Sequence, residues 1–302
     1  MSTLIDRRTF LQLAGLAGAG VAGAVFASRL AAPPLASGVT TAADFMFLQM
    51  SDTHWGFSGP ANPDAAGTLE KAVRRVNALD RQPDFIVFTG DLTHTTDDAH
   101  ERRTRLAQFR DIVGTLTVKD VRFMAGEHDA SLDRGEAYRE FFGELHYTFD
   151  HQGVHFIVLD NVSDPSGRLG DAQLKWLRAD LEHTDREAPI VVLTHRPLFD
   201  LYPAWDWATG DGADAIAALQ RHEYVTVFYG HIHQEHHQQT GRISHHAAKS
   251  LMFPLPAPGS VPKKAPLPWD AAQPYRGLGF RTVQANGRAT PYPITEWPVT
   301  RG

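Results

Sequence analysis

One pattern constrains this chain more than any other: five times, a short apolar run of strand length stops and the next few residues include Asp or His. The runs are residues 45–50, 84–88, 121–125, 190–193 and 225–229. They are followed by Asp52 and His54, by Asp91, by Glu127 and His128, by His195, and by His231 and His233. Ligands of α/β sheets gather beyond the carboxyl ends of strands, so five such ends can converge in space although they span most of the chain. Taken singly, an Asp or His after a strand is more often a turn former or a helix cap. Five in one order, each after a strand, are not explained that way.

Helical spacing fills the gaps between these strands. Leu69, Val73, Val76 and Leu79 mark one face of a helix over residues 69–79, and further helices are expected over 99–116, 171–183 and 213–220. Runs at 146–150 and 154–160, joined by a short Gly-containing turn, read as antiparallel strands, and later strands are expected at 242–248 and 279–283. Alternating elements followed by hairpins imply an α/β sandwich, with a mixed sheet or two packed sheets between helices. With 42% hydrophobic and 21% charged residues the chain is an ordinary soluble globule. A net charge of -6 and scattered basic residues give no reason to expect a nucleic-acid partner.

The N-terminus reads as an address. Arg7-Arg8-Thr9-Phe10-Leu11 precedes a Gly/Ala-rich apolar stretch that Arg29 closes, the pattern of a signal peptide with paired arginines. Residues 1–43 are therefore expected to be a twin-arginine signal and linker, and residues 44–302 a single domain. The expected location is the periplasm or another exported compartment, with the twin-arginine export machinery as a partner in transit. No stable membrane span is expected in the mature chain; a membrane anchor or a buried helix is the alternative reading of the apolar stretch.

The 302 residues include 16 His and no Cys, so a metal would be held by imidazole and carboxylate. That donor set suits Zn, Mn and Fe and disfavours soft ions. A carboxylate can bridge two such cations at about 3.5–4 Å, and water bound between them becomes a nucleophile near neutral pH without Ser or Cys.

Asp52-Thr53-His54, Gly90-Asp91, Gly126-Glu127-His128-Asp129, His195 and Gly230-His231-Ile232-His233 stand in the order that marks the calcineurin-like metallophosphoesterase superfamily, and this sequence resembles that family from about Phe45 to His233. The resemblance implies a four-layer αββα sandwich with one catalytic domain and two metal ions. It places Asp52, His54 and His233 on the first metal, Asp91 as the bridge, and His195 and His231 on the second metal with residue 127. It leaves His128 facing the substrate, with Asp129 orienting its imidazole. The implied activity is hydrolysis of small phosphate esters by a metal-bridging hydroxide, phosphodiesters slightly favoured. The alternatives are a nucleotidase or pyrophosphatase on the same scaffold, or a non-catalytic metal-binding module.

One position departs from the family, which usually has Asn where this chain has Glu127. The carboxylate can ligate the second metal, leave that site weak, or point away. If it ligates, Asp52, Asp91, Glu127 and a bound hydroxide neutralise two divalent ions, which favours an M(III)/M(II) pair or substrates of low charge. Other residues stay open. His94 lines the pocket or sits on a loop, and His236 and His237 read as a solvated loop. His245 and His246 lie in a strand, where alternation sends one inward and one outward. Arg196 and Trp205 could meet substrate, and Trp55 is a packing aromatic or a substrate platform. The Pro-rich segment 254–274 is long for a connection and hints at a lid or a dimer contact.

Overall fold

The computed structural model describes residues 44–286 and 291–301. The twin-arginine pattern lies outside the described residues. In chain order the strands are β1 (Asp44–Met50), β2 (Phe85–Thr89), β3 (Val121–Met124), β4 (Tyr147–His151), β5 (Val154–Val158), β6 (Pro189–Leu193), β7 (Tyr224–Tyr229), β8 (His236–Thr240), β9 (Ile243–Ala247), β10 (Gly279–Asn286) and β11 (Ile294–Pro298). The helices are α1 (Ala65–Asn77), α2 (Ala99–Val113), α3 (Glu127–Ala130), α4 (Glu136–Phe142), α5 (Gly170–His183) and α6 (Gly212–Leu219).

The strands form two mixed sheets, ordered β11-β10-β1-β2-β3 and β4-β5-β6-β7-β9-β8. A run of neighbours in each sheet is parallel: β1, β2 and β3 in the first, and β5, β6, β7 and β9 in the second. Side chains alternate across a strand, and here both faces are buried. In β1, Phe45 and Phe47 point to the other sheet, while Leu48 and Met50 point to the helices. The same split sends Phe85 and Val87 of β2 one way and Ile86 and Phe88 the other.

Three apolar clusters therefore separate four layers. One lies between the first sheet and α1, α2 and α4; it contains Leu69, Val73, Phe109 and Tyr138. Another lies between the second sheet and α5 and α6; it contains Leu174, Leu177, Ala215 and Leu219. The third joins the sheets and is rich in aromatics: Phe47 stacks on Phe85 at 5.4 Å and meets Phe228 edge-on at 5.4 Å. Such pairs add about 0.5–1.5 kcal/mol beyond the area they bury. The αββα sandwich expected from the sequence is the observed architecture. The carboxyl ends of β1, β2, β3, β6 and β7 meet, because the residues that follow them gather in two adjoining clusters.

Some elements differ from the expectations. The short helices α3 and α4 and the strands β8 and β11 were not anticipated, and β10 runs three residues further than expected. His236 and His237 belong to the edge strand β8, not to a loop. His245 and His246 alternate as expected, yet both are buried, because β9 is covered on both faces: His245 packs against Phe199 and His246 against Phe228. Of the Pro-rich segment, Leu255 lies in the core; together with Met252 and Phe253 just before the segment it packs with Trp205, Trp207, Tyr229 and Ile232. No described helix is long and apolar enough to cross a membrane.

Candidate metal centre

The loops after the parallel strands continue to hydrogen-bond one another and so hold the motif residues in register. Asp52 N donates to Gly90 O at 3.0 Å, His54 N to Asp91 O at 2.9 Å, and Gly230 N to His195 O at 3.0 Å. The two sheets are tied across the gap as well, since His231 N donates to both carboxylate oxygens of Asp52 at 3.1 Å.

The turns that follow the strands are strained. Eight non-Gly residues among those described have positive φ, and five of them are Asp52, His54, Asp91, His231 and His233. Each such conformation costs about 1–3 kcal/mol and persists only where surrounding contacts impose it, typically at a functional site. The glycines opening two motifs have a different reason. A Cβ at Gly126 would collide with the Asp91 backbone and carboxylate, and one at Gly230 with Ser51 Oγ. Only glycine lets these loops approach the carboxylates so closely.

The result is two clusters of four residues that share one carboxylate. Asp52, His54, Asp91 and His233 bring ligand atoms within 4.8 Å of one another, and so do Asp91, Glu127, His195 and His231. All seven residues expected to hold metal are thus gathered. Glu127 points into the second cluster, with its carboxylate 2.8 Å from His195 Nε2 and 2.8 Å from His231 Nδ1. Those two nitrogens and Glu127 Oε2 are buried, yet none makes a hydrogen bond in the protein. Buried polar atoms are rarely left this way, and three of them converging on one point are the donor arrangement a cation requires. The residues fit a metal pair.

Each ring is aimed through its other nitrogen. His195 Nδ1 and His233 Nδ1 each donate to a backbone carbonyl at 2.7 Å, Thr89 O and Phe253 O respectively, and His231 Nε2 donates to Asp206 O at 3.1 Å. A carbonyl can only accept, so in the neutral ring, the form that binds a cation, these contacts leave the lone pair on the nitrogen that faces the cluster.

The electrostatics follow from burial and crowding. For Glu127, burial opposes ionisation, but His231 and His195 outweigh it and hold the carboxyl well below its usual range. Asp91 is also lowered: burial and Glu127 resist its ionisation, while His195, His128 and His54 favour it. Burial pushes His54 well below the usual imidazole value, despite Asp91. His195 goes the other way, since Asp91 and Glu127 overcome its burial and raise it well above that value.

His128 is the open member of the group, with 26% of its side chain exposed and its Nε2 4.0 Å from Asp91 Oδ2. Thr95 N donates to its Nδ1 at 3.1 Å, which leaves the neutral ring with its proton on Nε2. The expectation for Asp129 needs correction. Its carboxylate does not orient His128; it accepts from Leu92 N, Thr93 N, Thr93 Oγ1 and Gly126 N at 2.8–2.9 Å, joining the loops after β2 and β3. Burial, then Asp91, raises Asp129 to about 6.

His94 lines the site, its ring stacked on His128 at 4.9 Å. Arg196 Nε lies 4.0 Å from Glu127 Oε2. Trp205 is buried edge-on against Trp207, and Trp55 donates to Gln108 Oε1 and packs on the first core, so both are packing aromatics. The backbone acceptors Thr89, Phe253 and Asp206 escaped the sequence reading, because any residue carries a carbonyl.

Two carboxylate–imidazole clusters sharing an aspartate, at the joint carboxyl ends of two facing sheets, define a binuclear metal-binding α/β sandwich. Residues 45–235 match the calcineurin-like phosphoesterase family model. The chain is 30% identical over 233 residues to the 3',5'-cyclic adenosine monophosphate phosphodiesterase CpdA of Pseudomonas aeruginosa, covering 73% of this chain and 80% of that one. It is 30% identical over 180 residues to the mouse serine/threonine-protein phosphatase CPPED1, covering 51% of this chain and 57% of that protein. In structure it is similar to the purple acid phosphatase PPD1 of yellow lupin, with a TM-score of 0.63 at 13% identity over 87% of this chain and 53% of that one. The chain thus spans little more than half the length of the mouse and lupin proteins. It belongs to the calcineurin-like phosphoesterase family, a family of metal-dependent hydrolases.

Proposed function

We propose that this protein hydrolyses phosphate esters with two metal ions drawn from Fe, Mn and Zn, and that phosphodiesters are its better substrates. The observation that carries the reading is Asp91, shared between two four-residue clusters beneath the open ring of His128. Bound cations would supply a water of lowered pKa and positive charge against the phosphoryl oxygens. Asp52, His54, Asp91 and His233 would hold one cation, and Asp91, Glu127, His195 and His231 the other.

The chain's own residues do the rest. His128 presents an Nε2–H donor at the mouth of the site, placed for a phosphoryl oxygen or for the departing alkoxide. Thr95 N fixes that tautomer, and Asp129 fixes the two loops that carry Thr95 and His128. Glu127 supports the preference for diesters. Three carboxylates and a bound hydroxide would neutralise two divalent cations, which suits a monoanionic diester; Asn at 127 would leave one positive charge, which suits a dianionic monoester better. The cyclic-nucleotide phosphodiesterase among the relatives supports the same preference. The paired arginines Arg7 and Arg8 support export by the twin-arginine route.

Turnover of bis-p-nitrophenyl phosphate against p-nitrophenyl phosphate, with added Mn, Zn or Fe, tests the reading. Faster diester cleavage is expected. No turnover of either ester by metal-replete protein would leave a binding module instead.

A further inference from the structure

The four candidate ligand imidazoles are not supported alike. His195, His231 and His233 each rest on a backbone carbonyl, at 2.7, 3.1 and 2.7 Å. His54 does not. Its Nε2 faces the cluster, 3.0 Å from His233 Nε2 and 3.5 Å from Asp91 Oδ2, while its Nδ1 meets the Nδ1 of another side chain, His94, at 3.4 Å.

His94 is itself firmly placed. Its backbone N–H donates to Trp55 O at 2.8 Å, and its carbonyl accepts from Arg105 Nη1 at 2.9 Å. Its ring stands between Phe57, edge-on at 5.1 Å, and His128, stacked at 4.9 Å. A half-buried imidazole held on both faces and at both ends of its peptide is positioned to serve as an acceptor.

We propose that His94 is the positioning residue of the first metal site: its Nδ1 accepts the His54 Nδ1–H and so aims His54 Nε2 at the cation. The inference rests on the reading that His54 is a ligand. It makes the two sites unequal in one specific respect. The imidazoles of the second site are oriented by backbone that substitution cannot remove, whereas His54 is oriented by a side chain that can be cut away.

Zn2+ titration by calorimetry, with metal content measured after dialysis, on the full chain and on His94→Phe and His94→Gln tests this. Two ions are expected on the unaltered protein. His94→Phe should weaken one of the two by about 10–100-fold, the usual cost of losing a ligand's outer partner, and leave the other unchanged. His94→Gln, whose amide oxygen can accept the same hydrogen bond, should recover most of that loss. Should His94→Phe fail to fold, the affinity of His94→Gln against that of His94→Leu carries the same comparison. Two sites of unaltered affinity in His94→Phe would overturn the proposal. So would a loss that Gln does not restore, because His94 would then be a ligand itself. An unaltered protein that binds no Zn2+ would instead refute the metal site and leave the His94 contact without this role.

Discussion

The two halves of the metal centre have the same donors but are built differently. Each offers two carboxylates and two imidazoles, with Asp91 common to both. In the first half, Asp52 is wholly buried and already satisfied by two contacts from His231 N. In the second, Glu127 opens the short helix α3, keeps 20% of its side chain exposed, and has a buried oxygen with no hydrogen-bond donor. One carboxylate is tied to the backbone of the opposite sheet, while the other faces His195 and His231 of its own cluster. Asp52 is thus bound into the fold, whereas Glu127 stands on a four-residue helix, where it can tune the charge of the centre without disturbing the sandwich.

The sharpest way to break this comparison is to remove what the halves share. Asp91→Ala should cost both sites and lower kcat/KM at least about 1,000-fold, roughly 4 kcal/mol of lost charge stabilisation. Metal analysis should show both ions depleted; loss of only one would mean that Asp91 does not bridge. His128→Ala makes the opposite test, since the ring belongs to neither cluster of four. It should lower kcat by about 100- to 10,000-fold, the range for a general acid, with metal content unchanged. Glu127→Asn should retain two ions but shift the monoester-to-diester ratio of kcat/KM about tenfold toward monoesters, near 1.4 kcal/mol. Unchanged metal content together with unchanged substrate ranking would show that the Glu127 charge does not set the preference.

The same contrast explains what the sequence made legible. Asp52, His54, Asp91, His195, His231 and His233 stand directly after buried strands whose apolar runs are unmistakable, so their convergence could be read in advance. Glu127 could not be decided, because its direction depends on α3, a four-residue helix with no periodicity to detect. The strand β8 was hidden for a related reason: His236–Thr240, all polar, lies at a sheet edge and shows no apolar alternation. The family resemblance implies that Asp129 orients His128, whereas its carboxylate turns inward to backbone N–H groups, which no side-chain pattern reveals. The supports of the ligand rings are mostly carbonyls and equally silent. His94 is the exception, a support that a sequence can show but only a structure can assign.

The smallest expected effect concerns an imidazole–carboxylate cluster away from the candidate metal centre. His155 stands between Asp150 and Asp180, with ring nitrogens 2.7 and 2.9 Å from their carboxylates, joining β4 and β5 to α5. Burial lowers its pKa, but the two aspartates outweigh it and the net shift is upward. A raised value in the folded chain means that the folded state binds the proton more tightly. The stabilisation is therefore complete below the unfolded value of about 6.5 and fades as pH rises through the folded value. Asp150 is mostly exposed, so screening limits the effect to about 1 kcal/mol or less. Melting temperatures of the metal-free protein and of His155→Gln, measured between pH 5.5 and 8.5, should differ most at the acid end and converge at the alkaline end. A difference that grows with pH would show that His155 is held neutral, like the buried His54, and that paired carboxylates alone do not decide the charge of an imidazole in this fold.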